Sequence, residues 1–415
     1  MSLLEDYIKE LNRLEAAKEK QGKRITRIRS IDFVKGFAIC LIVLAHTSGA
    51  WLDSFWVYAH GQVYQILDVF GPSLFIFLSA LSVVFSLSKK SGKVPEKVIR
   101  LNVFIRGISI MFLGLFYNLL ANSYPGQNIN IPFPLSLWGW NILTFIGASQ
   151  IITYYAVKIS RGGRIALAII ITFLTPQIRD YLLLNKADPF IGFLHFIFVS
   201  PAPHNPFIPY VALCFFSSIF GELFFQAMIL QTREAYIDSF KSFMKWGVFF
   251  VLLGMFIPFI DGGPLFVTPE NYPLNEYPFI YLVPIMQNQP FVKIPGMLKF
   301  LLRGTPSNLF YSLGMALLIL GICFYYIDIK KNNNSFIKML IFYGQCSLTL
   351  FLLHYVWLFV FFQRFNVLFF FFVWGGYLGL LGFLMYIWRT EWEGKGSLEW
   401  IMTQMGGKSK KKVKN

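Results

Sequence analysis

From residue 33 to residue 388 the chain alternates long apolar runs with short polar segments. Runs of roughly 20 apolar residues are long enough to cross the ~30 Å hydrocarbon layer of a bilayer. The pattern predicts ten such spans, at 33–51, 67–88, 104–121, 137–158, 165–182, 207–230, 246–260, 308–328, 339–361 and 367–388. The expected fold is therefore all-α, a polytopic integral membrane protein with about ten transmembrane helices. Ahead of the spans, apolar residues at positions 4, 8, 11 and 14 predict an amphipathic helix on the cytoplasmic surface. Three regions follow: a cytoplasmic amphipathic segment at 1–30, a transmembrane domain at 31–388 and a cytoplasmic basic tail at 389–415. That tail ends G-G-K-S-K-K-K-V-K-N, a composition suited to anionic lipid headgroups.

Composition agrees with the patterning. Of the 415 residues, 56% are hydrophobic and 14% charged, against the roughly 25% charged of an ordinary soluble domain. The formal net charge of +16 raises the question of a nucleic-acid partner, but the distribution of the charge answers it. All but six of the 37 lysines and arginines fall in alternate connecting segments, beginning with the N-terminal one. The six are Arg179, Lys186, Lys293, Lys299, Arg303 and Arg364. This asymmetry orients both termini toward the cytoplasm and leaves no need for nucleic acid.

The loops assigned to the outer side, 122–136, 183–206 and 261–306, are rich in Pro, Asn and aromatic residues and could roof a cavity. The four cysteines (Cys40, Cys214, Cys323, Cys346) lie in apolar runs without metal-like spacing, so free thiols and no metal are expected. Walker-type, H-E-x-x-H and G-x-S-x-G motifs are absent. The first 26 residues lack the apolar core of a cleaved signal peptide.

Candidate chemistry gathers between Arg27 and Ala80. His60 lies in the loop between the first two spans, where a neutral imidazole can accept a proton from an attacking nucleophile or simply be hydrated. His46 closes the first apolar run, and an ionisable residue there faces either a site or an interhelical hydrogen bond. Asp68 either orients an imidazole or caps the second helix. Arg27, Arg29 and Lys35 precede or open the first span, and Lys97, Arg100 and Arg106 the third. Together they form either a topological signal or a site for a multiply phosphorylated ligand. Glu222, inside the sixth run, requires a partner or a cavity, and its partner stays open.

The run R-I-R-S-I-D-F-V-K-G resembles the R-x-R-S-L-D-x-x-R-G pattern of transmembrane acyltransferases related to heparan-alpha-glucosaminide N-acetyltransferase. Arg27, Arg29, Ser30, Asp32 and Gly36 match it, and Lys35 stands where Arg is usual. Asp68, Pro72 and Phe75 to Phe77 are similar to that family's second helix. The stretches Trp140 to Ala148, His204 to Tyr210 and Tyr343 to His354 resemble later segments in the right order.

The resemblance implies an acyl-CoA-dependent acyltransferase, acetyl-CoA being the expected co-substrate. Arg27, Arg29, Lys35, Arg100 and Arg106 would then bind its phosphates, and the catalytic residues would be His60, His46 and Asp68. The acetyl group would pass to a sugar or glycan amine or hydroxyl outside, with the cell membrane as location and membrane lipids as surroundings. Related enzymes form homodimers, although no segment here marks an interface. A proton-coupled transporter, an O-acyltransferase of surface glycans and a non-catalytic binding protein are the competing expectations.

Overall fold

In a computed structural model of the chain, the residues described are 28–53, 56, 60–61, 70–122, 133–199, 207–260, 265–268 and 297–404. The chain is almost entirely helical. Its helices are α1 (Arg29–Trp51), α2 (Pro72–Lys90), α3 (Glu96–Asn122), α4 (Ile142–Ala156), α5 (Arg161–Leu184), α6 (Pro189–Phe198), α7 (Phe207–Leu230), α8 (Arg233–Ile260), α9 (Pro306–Phe324), α10 (Ser335–Gln345), α11 (Ser347–Leu353) and α12 (Val367–Glu391). Side-chain caps mark many starts: Asn141, Ser160, Asp188, Thr305, Asn334 and Asn366 each accept from a backbone N–H of the first turn. Among the described residues two strands of two residues each pair antiparallel, β1 (Phe266–Val267) with β2 (Met297–Leu298).

Among the described residues, eight helices are long and apolar enough to cross a membrane; α10 and α11, bent by 76°, make a ninth if the pair is one span. Two expected spans therefore change. The run at 137–158 becomes α4, whose 15 residues reach about 22 Å at 1.5 Å per residue, short of a full crossing. The non-helical backbone before α4 is satisfied by protein, since the Asn118 amide donates to the carbonyls of Leu137 and Gly139 at 3.0 and 3.2 Å. The run at 339–361 becomes the bent pair, broken at Cys346.

α1, α2 and α7 are buried along most of their length, whereas α3, α5, α8 and α12 turn apolar side chains such as Phe112, Phe256 and Phe372 outward. An inner group enclosed by an outer ring is the arrangement expected of a bundle in lipid. At its centre α1 crosses α10 with almost no gap. A Cβ added at Gly36 would fall 1.8 Å from the Leu340 carbonyl oxygen, and one at Gly344 would fall 1.7 Å from that of Asp32. The glycine that ends the R-I-R-S-I-D-F-V-K-G run is thus the contact at which two backbones touch.

Candidate active site

The site is organised on α1, which is fixed at both ends. At its start the Asp328 carboxylate accepts the backbone N–H groups of Arg29 and Ser30, each at 2.9 Å, replacing the partners that a first helical turn lacks. At its end the Trp51 indole donates to the Leu358 carbonyl at 2.8 Å, and a parallel bridge joins Leu52 to Phe365. The last two turns of α1 therefore present their side chains from a rigid support.

His60 folds onto those turns and is only 7% exposed. Its Nδ1 lies 2.9 Å from the Ser48 hydroxyl oxygen, and the Ser48 hydroxyl itself donates to the Ala45 carbonyl at 2.9 Å. A hydroxyl has one proton to give, so Ser48 accepts from His60, which carries its proton on Nδ1 and its lone pair on Nε2. The ring also covers Gly49, where a Cβ would come within 2.7 Å of Cε1. Burial pushes the imidazole down to about 4 from its ordinary 6.5, so it is neutral at physiological pH.

His46, three residues before Gly49 and so on nearly the same helical face, approaches the bent α10–α11 pair. Its Nδ1 lies 3.0 Å from the Tyr355 hydroxyl, and its ring centroid is 5.3 Å from that of His354. Tyr355 also packs on Tyr117, which stacks on Phe351 at 4.9 Å.

Phe351 is at once the neighbour of this cluster and the wall of a cavity of about 910 Å³, in the range of ligand sites. Lys35, Lys90, Arg106 and Arg389 bring four cations to its lining and Asp32, Glu393 and Glu399 three carboxylates, while Ile110, Ile142 and Ile146 line an apolar part. Ser79, in its wall, accepts from Ser149 and Gln150, both at 2.8 Å. The Asn102 Oδ1 atom, in the same wall, is buried without a partner among the described residues. Arg106 lies ten residues into α3, about 15 Å along the helix axis. Residues 398–404 form a last helical turn that closes one side, with Glu399 accepting from the Leu348 and Thr349 backbone at 2.8 and 3.0 Å.

The structure thus brings Lys35 and Arg106 together at one cavity. Arg29 and Arg100 lie outside its lining, and the Arg29 guanidinium instead donates to Asn333. Arg27, Asp68 and His204 lie outside the described residues. Lys90, Arg389, Tyr355 and Asn102 were not singled out from the sequence, and nothing in their spacing separated them from other ends of apolar runs. Glu222 finds its partners in Arg164 at 2.7 Å and Arg161 at 2.8 Å.

Fold and site define a polytopic integral membrane protein with histidines buried behind a cavity lined by both cations and carboxylates. The catalytic-domain model of heparan-alpha-glucosaminide N-acetyltransferase matches residues 27–255, more than half of the chain. The chain belongs to this family and is, in general class, a transmembrane acetyltransferase. Among curated proteins none matches it. His46 and His60 fall inside the matched segment, whereas His354, Tyr355 and Arg389 lie beyond it.

Proposed function

We propose that the protein moves an acetyl group from acetyl-CoA, bound from the cytoplasm, to the amine or hydroxyl of a sugar on the opposite side of the membrane. The observation that carries this reading is the cavity, with four cations and an apolar group of isoleucines in its lining, separated from His46 by the Phe351, Tyr117 and Tyr355 rings. Lys35, Lys90, Arg106 and Arg389 suit the phosphates of coenzyme A, which Arg and Lys bind by charge-assisted hydrogen bonds. Asn102 Oδ1 and the Ser79–Gln150 pair suit the amide groups of its pantetheine arm. In this reading Arg27, Arg29 and Arg100 would add long-range attraction for the anion. The acyl group would cross the membrane while coenzyme A stays behind.

In this reading His60 is the general base. Its Nε2 lone pair takes the proton of the sugar nucleophile, with Asp68 as a further orienting group, while His46 positions the thioester. Both termini are cytoplasmic in this reading, which the distribution of Lys and Arg supports, and the cell membrane is the location it takes.

The test is acetyl-CoA binding to detergent-purified protein, followed by acetyl transfer to glucosamine by the same protein in liposomes. Micromolar binding that a Lys35→Gln/Arg106→Gln variant loses is the expected result. Absence of binding by folded wild-type protein would overturn the reading.

A further inference from the structure

We infer that His354 is a further catalytic residue, the donor that holds the thioester carbonyl oxygen as it becomes an oxyanion. The inference rests on the acetyl-transfer reading above and assigns a role to a residue outside the matched family segment.

His354 is 0% exposed, and among the described residues neither Nδ1 nor Nε2 makes a hydrogen bond of good geometry, the backbone of Leu350 and Phe351 offering only poorly aligned contacts. A buried polar group left unpaired is destabilising, and an apolar ring of similar size would fill the space without that penalty. The imidazole is held in place all the same. Its own backbone carbonyl accepts the Tyr377 hydroxyl at 2.8 Å, and its ring packs on Tyr355 at 4.6 Å and on Phe351 at 5.6 Å. Because Phe351 lines the cavity, His354 sits directly behind the cavity wall and beside His46. It follows α11 of the bent pair, and irregular backbone at membrane depth is tolerated where it lines a cavity or is enclosed in protein.

Of the roles open to an imidazole here, donation from the neutral form fits best. An imidazolium so fully buried would be strongly disfavoured in this position, whereas a neutral N–H needs no counter-charge. The sugar nucleophile attacks the thioester carbonyl carbon and forms the new C–N or C–O bond as His60 takes its proton. The carbonyl π electrons move to oxygen, where the His354 N–H accommodates them. Collapse restores the C=O bond and breaks the C–S bond, and the proton held by His60 ends on the departing thiolate.

The experiment compares wild type, His354→Leu, His354→Phe and His354→Asn in liposomes, with acetyl-CoA and glucosamine as probes. Acetyl-CoA affinity and melting temperature are measured beside kcat and KM. Loss of one preorganised oxyanion donor lowers kcat by about 10²–10³. The expected result is that loss in the two apolar variants, with KM and acetyl-CoA affinity unchanged, and recovery of at least about tenfold in the Asn variant, whose amide N–H can donate. Apolar variants within about threefold of wild type would overturn the inference, as would an Asn variant no better than they are. Failure of both apolar variants to fold would assign His354 to the scaffold and equally overturn it. Wild-type protein that binds no acetyl-CoA would instead bring down the functional reading, and this inference with it.

Discussion

His60 Nδ1 lies 2.9 Å from the Ser48 hydroxyl, which itself donates to the Ala45 carbonyl, and this contact favours the tautomer with its proton on Nδ1 and Nε2 basic. Replacing Ser48 by Ala removes the acceptor while leaving the ring in place, so both tautomers become accessible. A neutral hydrogen bond of about 1 kcal/mol corresponds to roughly a fivefold fall in kcat. Gly49→Ala acts on the same ring by displacement, since the new Cβ would stand 2.7 Å from Cε1. Its loss should exceed that of Ser48→Ala, and His60→Ala, which removes the base, should lose about 10²–10⁴. Steady-state kinetics on the three variants checks the order, and a Gly49→Ala enzyme as active as wild type would detach His60 from catalysis.

The pH dependence follows from the same burial. The base works as neutral imidazole, and its folded-state value is pushed down to about 4, so the acid limb of activity should fall near pH 4 instead of near 6.5. The stability sign is also fixed. The unfolded chain takes up the proton first as pH falls, so the contribution of His60 to stability is complete above 6.5 and declines toward 4. Melting curves between pH 4 and 7 should therefore lose part of their slope in a His60→Ala variant; an unchanged slope would contradict the buried neutral state.

The basic residues divide by position in the fold, and so should their effects. Lys35 and Arg106 line the cavity, whereas Arg29 binds Asn333 and Arg100 lies outside the lining. Arg106→Gln removes a charge-assisted donor of about 1.5–3 kcal/mol, weakening acetyl-CoA binding roughly 10- to 100-fold. Arg100→Gln should change affinity little and act mainly on the association rate at low salt. Calorimetric titration separates the two, and equal losses would dissolve the distinction.

The spans were legible because apolar length alone defines them, and His46 and His60 stood out because ionisable residues are rare beside such runs. Helix breaks were not legible. The run at 339–361 passes through Gly344, Gln345, Cys346 and Ser347 at the bend, but small and polar residues also lie inside the unbroken helices α1 and α7, so nothing in the sequence marks this stretch as a break. The cavity lining was hidden for the same reason. Lys90 and Arg389 end their helices like many other basic residues, and only tertiary packing directs them to the same space as Arg106. His354 could be seen as part of a family-like run, but the lack of a well-aligned hydrogen bond at its ring belongs to the folded protein.

The contact of α1 with α10 gives a prediction about folding. Gly36→Ala would place a Cβ 1.8 Å from the Leu340 carbonyl oxygen, a backbone atom with no rotamer to yield. Overpacking of this kind typically costs about 1–3 kcal/mol or more. The melting temperature should drop, and acetyl-CoA affinity with it, because Lys35 and Gly344 at the cavity both move with this crossing. Gly375→Ala on the open face of α12, where an added Cβ meets nothing within 4 Å, should leave both unchanged.

The buried ion pair yields the sharpest contrast between removing one charge and removing two. Arg164 is 1% exposed and donates to both Glu222 and Ser218, at 2.7 and 2.8 Å. Glu222→Gln leaves that guanidinium buried without its counter-charge, a change that destabilises by about 3–5 kcal/mol. The double variant Glu222→Leu/Arg164→Met removes both charges and fills the space, and such exchanges are often neutral or stabilising. Thermal unfolding in detergent should therefore show a deep loss for the single variant and recovery for the double one. If the double variant unfolds as early as the single, Arg164 holds α5 by some contact other than Glu222, and the pair is not what binds α5 to α7.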